Sequence, residues 1–138
     1  MKKIILLCFL LFMMNIISCK KNTGDNNALS ITQKIQNRWN LAHIMNYVYA
    51  GMTTNLDYID TLTVGTLGDY IEFKADQRAY SNIGGFKDTN DYSILGDNKF
   101  VLGNDTFDIS ILTTNQFVLS ISDRSSATWY DNVISLTR

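Results

Sequence analysis

"DYSILGDNKFVLGNDTFDISILTTNQFVLS", residues 91–120, decides the fold. In this segment short runs of alternating apolar and polar residues are separated by Gly96-Asp97-Asn98, Gly103-Asn104-Asp105 and Thr114-Asn115. Alternation with a period of two is typical of a strand with one buried face, and Gly, Asn and Asp supply the positive φ angles that tight hairpin turns require. The segment therefore predicts consecutive antiparallel strands joined by short turns.

The same pattern continues on both sides of this segment. Strand-like alternation begins near Arg38, recurs in "DYIEFKA" (69–75) and ends in "NVISLTR" (132–138). About eight such strands with no second helix favour an all-β, antiparallel up-and-down barrel, because closure leaves no sheet edge exposed. A β-sandwich is the alternative. Ser30 is a candidate N-cap for one short N-terminal helix that ends at about Arg38.

The N-terminus has the pattern of an export signal. Lys2-Lys3 precede an apolar run, Ile4–Met14, that is too short for the roughly 20 residues of a spanning helix. Ile16-Ile17-Ser18-Cys19 resembles the lipobox of bacterial lipoproteins. The resemblance implies cleavage between Ser18 and Cys19, and acylation of Cys19 with chains such as palmitate.

The chain is therefore expected to have three parts: a lipoprotein signal peptide (1–18), a flexible tether (19–29) and a β-barrel domain (30–138). Removal of residues 1–18 also removes Cys8, so the mature chain would contain one thiol and no disulfide. Because Lys20-Lys21 follow Cys19 instead of acidic residues, the resemblance implies a lipid anchor in the bacterial cell envelope, in the outer membrane and facing the periplasm.

The domain at 30–138 resembles the lipocalin-like domains of bacterial lipoproteins. The resemblance is carried by Trp39, "DYIEFKADQ" (69–77), the hairpins of 91–120 and "YDNVISLTR" (130–138). It implies a barrel interior that holds a small apolar or amphipathic ligand. It also implies that an Arg near the C-terminus, Arg138, lies over the Trp39 face, and the alternative is that Arg138 is simply solvated. The residues expected to line the ligand site are Trp39, His43, Tyr47, Phe73, Phe107 and Phe117.

The sequence offers little catalytic chemistry. His43 is the only histidine, which with Cys19 lipidated excludes Cys–His pairs and any zinc site with more than one His ligand. No phosphate loop or dinucleotide motif is present, and a formal net charge of -1 does not suit a nucleic-acid-binding protein. We therefore expect no enzyme activity, no cofactor, no metal and no nucleic-acid partner.

Two functions remain compatible with the sequence. The first is a membrane-anchored binding module whose barrel takes up a small ligand without catalysis. The second is a structural or protein-interaction module with a filled barrel, accessory to a membrane complex. In that case residues 51–68, a long and partly apolar segment predicted to be a loop, would be the contact surface.

Overall fold

The computed structural model of the protein describes residues 30–138. The predicted signal peptide (1–18) and tether (19–29) lie outside the described residues. The predictions for Ser18 and Cys19 therefore also fall outside the described part of the chain.

The described chain folds into one short helix and nine strands, all paired antiparallel. The elements are α1 (Ile31–Ile35), β1 (Arg38–Tyr49), β2 (Leu56–Val64), β3 (Tyr70–Phe73), β4 (Arg78–Ile83), β5 (Phe86–Leu95), β6 (Lys99–Leu102), β7 (Asp105–Leu112), β8 (Gln116–Asp123) and β9 (Trp129–Thr137).

Eight of these strands form a closed ring. The sheet order is β2-β1-β3-β4-β5-β6-β7-β8-β9, and additional pairing between β1 and β9 closes β1 and β3 to β9 into a barrel. The predicted barrel of about eight strands is confirmed, and the sandwich alternative is wrong because one continuous sheet closes on itself. The ninth strand, β2, pairs with β1 alone and lies outside the ring. The prediction that 51–68 is entirely a loop is therefore wrong.

The helix and the turns follow from local sequence. Ser30 caps α1, and its hydroxyl and the Gln33 side chain satisfy each other's backbone N–H groups in a capping box. Gly84 and Gly85 connect β4 to β5 with φ angles of 59° and 83°. This is a left-handed conformation that glycine adopts without steric cost. The helix ends at Ile35, short of the predicted Arg38, because Arg38 already begins β1.

A floor of packed aromatic rings fills one end of the barrel. Phe73 lies at its centre, with ring centroids 5.2 Å from Tyr92, 5.3 Å from Phe100 and 5.9 Å from Phe117. Edge-to-face contacts of this kind add roughly 0.5–1.5 kcal/mol per pair beyond burial. We call these four rings with Trp39 the aromatic floor.

Helix α1 closes the barrel beneath the aromatic floor. Trp39 is fully buried, and its indole Nε1 donates to the Ile35 carbonyl at 3.0 Å, so the last turn of the helix is fastened to the first strand. Arg138 covers the outside of this contact. Its Cζ lies 4.1 Å from the Trp39 ring centroid, and its guanidinium donates to the Lys34 carbonyl. Arg138 thus occupies the position over Trp39 that the resemblance implied.

Candidate functional site

An apolar cavity of about 230 Å³ lies inside the barrel, on the side of the aromatic floor away from α1. Its wall is made of inward-facing side chains from β1, β3, β4, β5, β6 and β9. The lining residues are Ile44, Ile71, Ala79, Ser81, Ile83, Asp88, Asn90, Leu102 and Ile134. Six of these nine are aliphatic, so the cavity offers shape and apolar contact more than hydrogen bonds.

Strand register explains why these side chains meet. In an antiparallel pair, residues directly opposite each other point to the same face of the sheet. Ile44 is opposite Ile134, and both pack against the core. On the other side of the barrel Ser81 is opposite Asp88, and the Asn90 Nδ2 donates to the Asp88 Oδ2 at 2.9 Å. The cavity therefore has an aliphatic wall facing a polar one.

A β-bulge in β1 changes which residues face this cavity. Leu41 is opposite Leu136 and His43 is opposite Ser135, so one extra residue, Ala42, is inserted in β1. Because the insertion shifts the alternation by one position, Ile44 faces inward instead of His43. His43, predicted to line the ligand site, therefore points to the outer face and does not line this cavity, and the same shift turns Tyr47 to the outer face.

The other predicted wall residues do face inward, but they lie in the core instead of lining the cavity. Trp39, Phe73 and Phe117 are at most 1% exposed and belong to the aromatic floor, and Phe107 is also buried. None of the four contacts the 230 Å³ cavity, whose lining begins with the next row of side chains. Their role in the structure is to limit the depth of the site.

The inner face becomes polar toward the end of the barrel opposite α1. A second, wider pocket of about 390 Å³ is lined there by the inward-facing Asp105, Ile121, Asp123 and Asn132 and, at its rim, by Ser122, whose side chain points outward. It adjoins the aliphatic cavity, because Asp105 is directly opposite Leu102 and Asn132 is two positions from Ile134 on β9. We call this polar end the mouth.

One buried acceptor on this inner face has no partner within the described chain. The Oδ1 atom of Asn46 is inaccessible to solvent and accepts no hydrogen bond from residues 30–138. Asn46 is directly opposite Asn132 and therefore faces the same side, one row beyond Ile44. A buried acceptor left unpaired costs about 1–3 kcal/mol, so a donor supplied at this position would be favourable.

The charges at the mouth are of one sign. Asp88, Asp105 and Asp123 face inward at this end, and the hydroxyl and backbone N–H of Ser125 lower the pKa of Asp123. By strand register, the basic side chains on the described strands point outward; these are Arg38, Arg78, Lys87 and Lys99. Within the described strands the inner face at the mouth therefore presents carboxylates and amides, and no Lys or Arg side chain that could hold an anionic group.

Asp69 holds the loop between β2 and β3 against the rim of the cavity. Its carboxylate accepts hydrogen bonds from the Thr66 N–H and Oγ1 and from the Gly84 N–H, each at 2.8 Å. These donors, the Thr66 and Gly84 backbone amides first, lower the pKa of Asp69 below its usual value. The residue thereby links the β2–β3 loop to the β4–β5 turn beside Ile83.

The lowered pKa of Asp69 predicts a loss of stability in acid. Because the folded-state pKa lies below the unfolded value, the contribution is fully present above about pH 3.9 and is lost as the pH falls through the folded pKa. We expect Asp69→Asn to unfold at a lower urea concentration than the unaltered protein near neutral pH, and the difference to narrow near pH 2. Urea titrations at both pH values measure this, and an equal difference at both would show that the charge of Asp69 contributes nothing.

A cluster of polar and aromatic groups lies on the outer face of the barrel, the face to which the bulge also turns Tyr47. The Arg124 guanidinium donates to the Asp131 carboxylate at 2.7 Å and lies 5.1 Å from the Tyr49 ring centroid and 5.0 Å from that of Trp129. Burial acts to raise the pKa of Asp131, but hydrogen bonds from Ser122 and Tyr49 and the charge of Arg124 outweigh it, so the net shift is downward. The Asp131 carboxylate in turn raises the pKa of Tyr49. Arg124, Asp131 and Tyr49 therefore satisfy one another within this cluster.

Within residues 30–138 no three His, Cys, Asp or Glu side chains come together in a way that could hold a metal ion. Over the same residues no helix has the length and apolar character needed to cross a membrane.

Fold and site together define a small antiparallel barrel, closed by a helix and an aromatic floor at one end and hollow above it. Comparisons with protein-family models, with curated proteins and with solved structures gave no match for the chain.

Part of the cavity lining carries a signal in the sequence. Ile71 shares a face with Phe73, and Ile134 with Leu136, by simple alternation along their strands. Ile44 carries no such signal, because the bulge at Ala42 that turns it inward has no distinctive residue. The polar lining residues Ser81 and Asn90 also give none, since inward-facing polar residues contradict the pattern that identifies a buried face.

Proposed function

We propose that this protein binds a small molecule with an apolar tail inside its barrel, without catalysis, as a lipid-anchored protein of the bacterial cell envelope. The observation that carries the proposal is the 230 Å³ aliphatic cavity above the aromatic floor. In other proteins an apolar cavity of about 150 Å³ is enough to hold benzene or xenon, whereas sites for drug-sized ligands span about 300–1,000 Å³. The size of the cavity therefore suits a short chain or a single ring.

The order of side chains along the barrel axis supports an amphipathic ligand. Aromatic rings come first, then the aliphatic wall with Asn90 across from it, and then the amides of Asn46 and Asn132 and the carboxylates at the mouth. A ligand whose tail fills the cavity would place its head group among these acceptors. The unpaired Oδ1 of Asn46 would be satisfied by a hydroxyl or an amine.

The charges at the mouth favour a cationic or neutral head group over an anionic one. A carboxylate head would meet Asp88, Asp105 and Asp123 with no Lys or Arg of the inner face to compensate. Like charges at close range repel by about 1 kcal/mol or more, depending on how far water is excluded. The same tail should therefore bind more tightly as an amine or an alcohol than as an acid.

Three ligands with one tail test the proposal: hexylamine, hexanol and hexanoate. Burying six carbons at about 0.8 kcal/mol each contributes about 5 kcal/mol, which corresponds to a Kd of about 0.3 mM before the cost of association. Because that cost weakens binding, we expect hexanol to bind with a Kd of about 1 mM or above. Hexylamine should bind at least as tightly, and hexanoate about tenfold more weakly. Isothermal titration calorimetry measures all three.

A cavity-filling variant localises the binding. Ala79 is 3% exposed and lines the cavity, so Ala79→Leu adds three carbons to the space that the tail would occupy. We expect hexanol affinity to fall at least tenfold in this variant and to stay unchanged in Ala50→Leu, the same substitution at an exposed position. Equal affinity in both variants, or no hexanol binding to the unaltered protein, would contradict the proposal.

A further inference from the structure

We propose that β2 is a docking edge that takes up a basic, extended segment of another protein as an added strand. This inference does not depend on ligand binding in the barrel. β2 pairs with β1 along one side, from Leu56 opposite Tyr49 to Val64 opposite His43, and no other strand of residues 30–138 pairs with its second side. The backbone N–H and C=O groups on that side are therefore free to pair with an incoming strand.

The lengths of the neighbouring strands explain why the edge is open. Both β2 and β3 pair with β1: β2 with residues 43–49 and β3 with residues 38–40. Only β3, which is four residues long, belongs to the ring. The next strand, β4, pairs with β3 and turns back at Gly84-Gly85 before it reaches β2. The barrel therefore closes below β2 and leaves this nine-residue strand projecting beyond the ring.

The side chains of β2 are unusually apolar for an exposed strand. Eight of its nine residues are exposed, and only Thr63 is partly covered. The exposed apolar residues are Leu56 (48%), Tyr58 (55%), Ile59 (46%), Leu62 (54%) and Val64 (66%). Natural proteins usually protect a long open edge with short strands, proline or inward-pointing charges, so an apolar open edge of this length marks a site of association.

The charges of β2 indicate which kind of strand would pair with it. Asp57 and Asp60 are its only charged residues, and Asp60 is the central residue of the strand. If β2 of a second copy paired antiparallel and centred, Asp60 would be opposite itself, and like charges directly opposite each other are destabilising. A segment carrying Lys or Arg between apolar residues meets the same carboxylates favourably, so we infer a basic partner strand instead of a second copy.

Two capped nonapeptides test this proposal on the full-length chain in detergent: one alternates valine with lysine, the other valine with glutamate. We expect the lysine peptide to bind at least tenfold more tightly and to slow amide hydrogen exchange in residues 56–64. In the double variant Asp57→Lys, Asp60→Lys, which changes two exposed side chains, the preference should reverse in favour of the glutamate peptide.

Four outcomes would overturn the proposal: no binding of either peptide, equal binding of both, slowed exchange only outside 56–64, or no reversal in the double variant. Two observations on the chain without peptide would also overturn it. One is a dimer in sedimentation equilibrium with 56–64 protected from exchange. The other is the same protection in a monomer, which would mean that residues 1–29 occupy the edge.

Discussion

Replacing Phe73 with alanine is expected to lower the free energy of unfolding by about 3–5 kcal/mol. Phe73 is 1% exposed, and its ring contacts Tyr92, Phe100 and Phe117 with centroid separations of 5.2–5.9 Å. Removing it leaves a void that the surrounding rings cannot fill, because each is held in a strand of the closed barrel. The loss would be a large part of the 5–15 kcal/mol that typically stabilises a domain.

Phe86→Ala is the matched control for this variant. The substitution is chemically identical, but Phe86 is 83% exposed at the turn between β4 and β5, so we expect a change within about 0.5 kcal/mol. Urea unfolding followed by tryptophan fluorescence measures both variants. If the two lose similar stability, the aromatic floor is not the centre of the core.

Gly65→Ala is the second substitution with a large expected effect. A Cβ atom at this position would lie 1.8 Å from the Leu41 carbonyl oxygen, so the backbone of the β2–β3 loop would have to move away from β1. The movement would break the hydrogen bond from the Gly65 N–H to the Ala42 carbonyl and would strain the neighbouring one from Leu41 to Asp69. With backbone shifts costing about 1–3 kcal/mol and each lost hydrogen bond about 1, we expect a loss of about 3 kcal/mol or more.

Gly96→Ala separates this steric effect from the ordinary cost of replacing a glycine. Gly96 has a φ of 64° and open space around its Cα, so an alanine there is strained only by its backbone conformation, at about 1–2 kcal/mol. Gly65 does not have a positive φ, and its cost comes from the close approach to β1 alone. Thermal unfolding of both variants should therefore rank Gly65→Ala as the less stable, and the reverse order would contradict the close packing of the loop.

The ring of strands could be predicted from the sequence because its determinants are local. Gly84-Gly85 and Gly96 occupy turns at which only residues tolerant of positive φ fit, and they lie between runs whose alternation is regular. Phe73 and Phe117 are each part of such a run, and both face the core. Local turn chemistry and a period of two were sufficient for these elements.

Two features could not be predicted, for different physical reasons. The bulge at Ala42 shifts the face of β1, and the residues around it, Leu41 and His43, are ordinary strand residues with no preference for a bulge. The sequence predicts a loop where β2 lies because none of the residues of β2 is fully buried, so its apolar side chains follow no alternation between a buried and an exposed face. In both cases the conformation depends on pairing with a distant strand, which a local pattern does not record.

The position of the two ends of the barrel domain has a consequence for its orientation. Ser30 begins the helix beneath the aromatic floor, and Arg138 lies over Trp39 at the same end, so both ends of the domain are on the face opposite the mouth. If the chain is anchored through Cys19 and binds a ligand in its barrel, as proposed, the mouth would point away from the bilayer and the ligand would enter from the aqueous compartment. An affinity tag at the C-terminus would likewise be attached on the membrane-proximal side and would leave the entrance unobstructed.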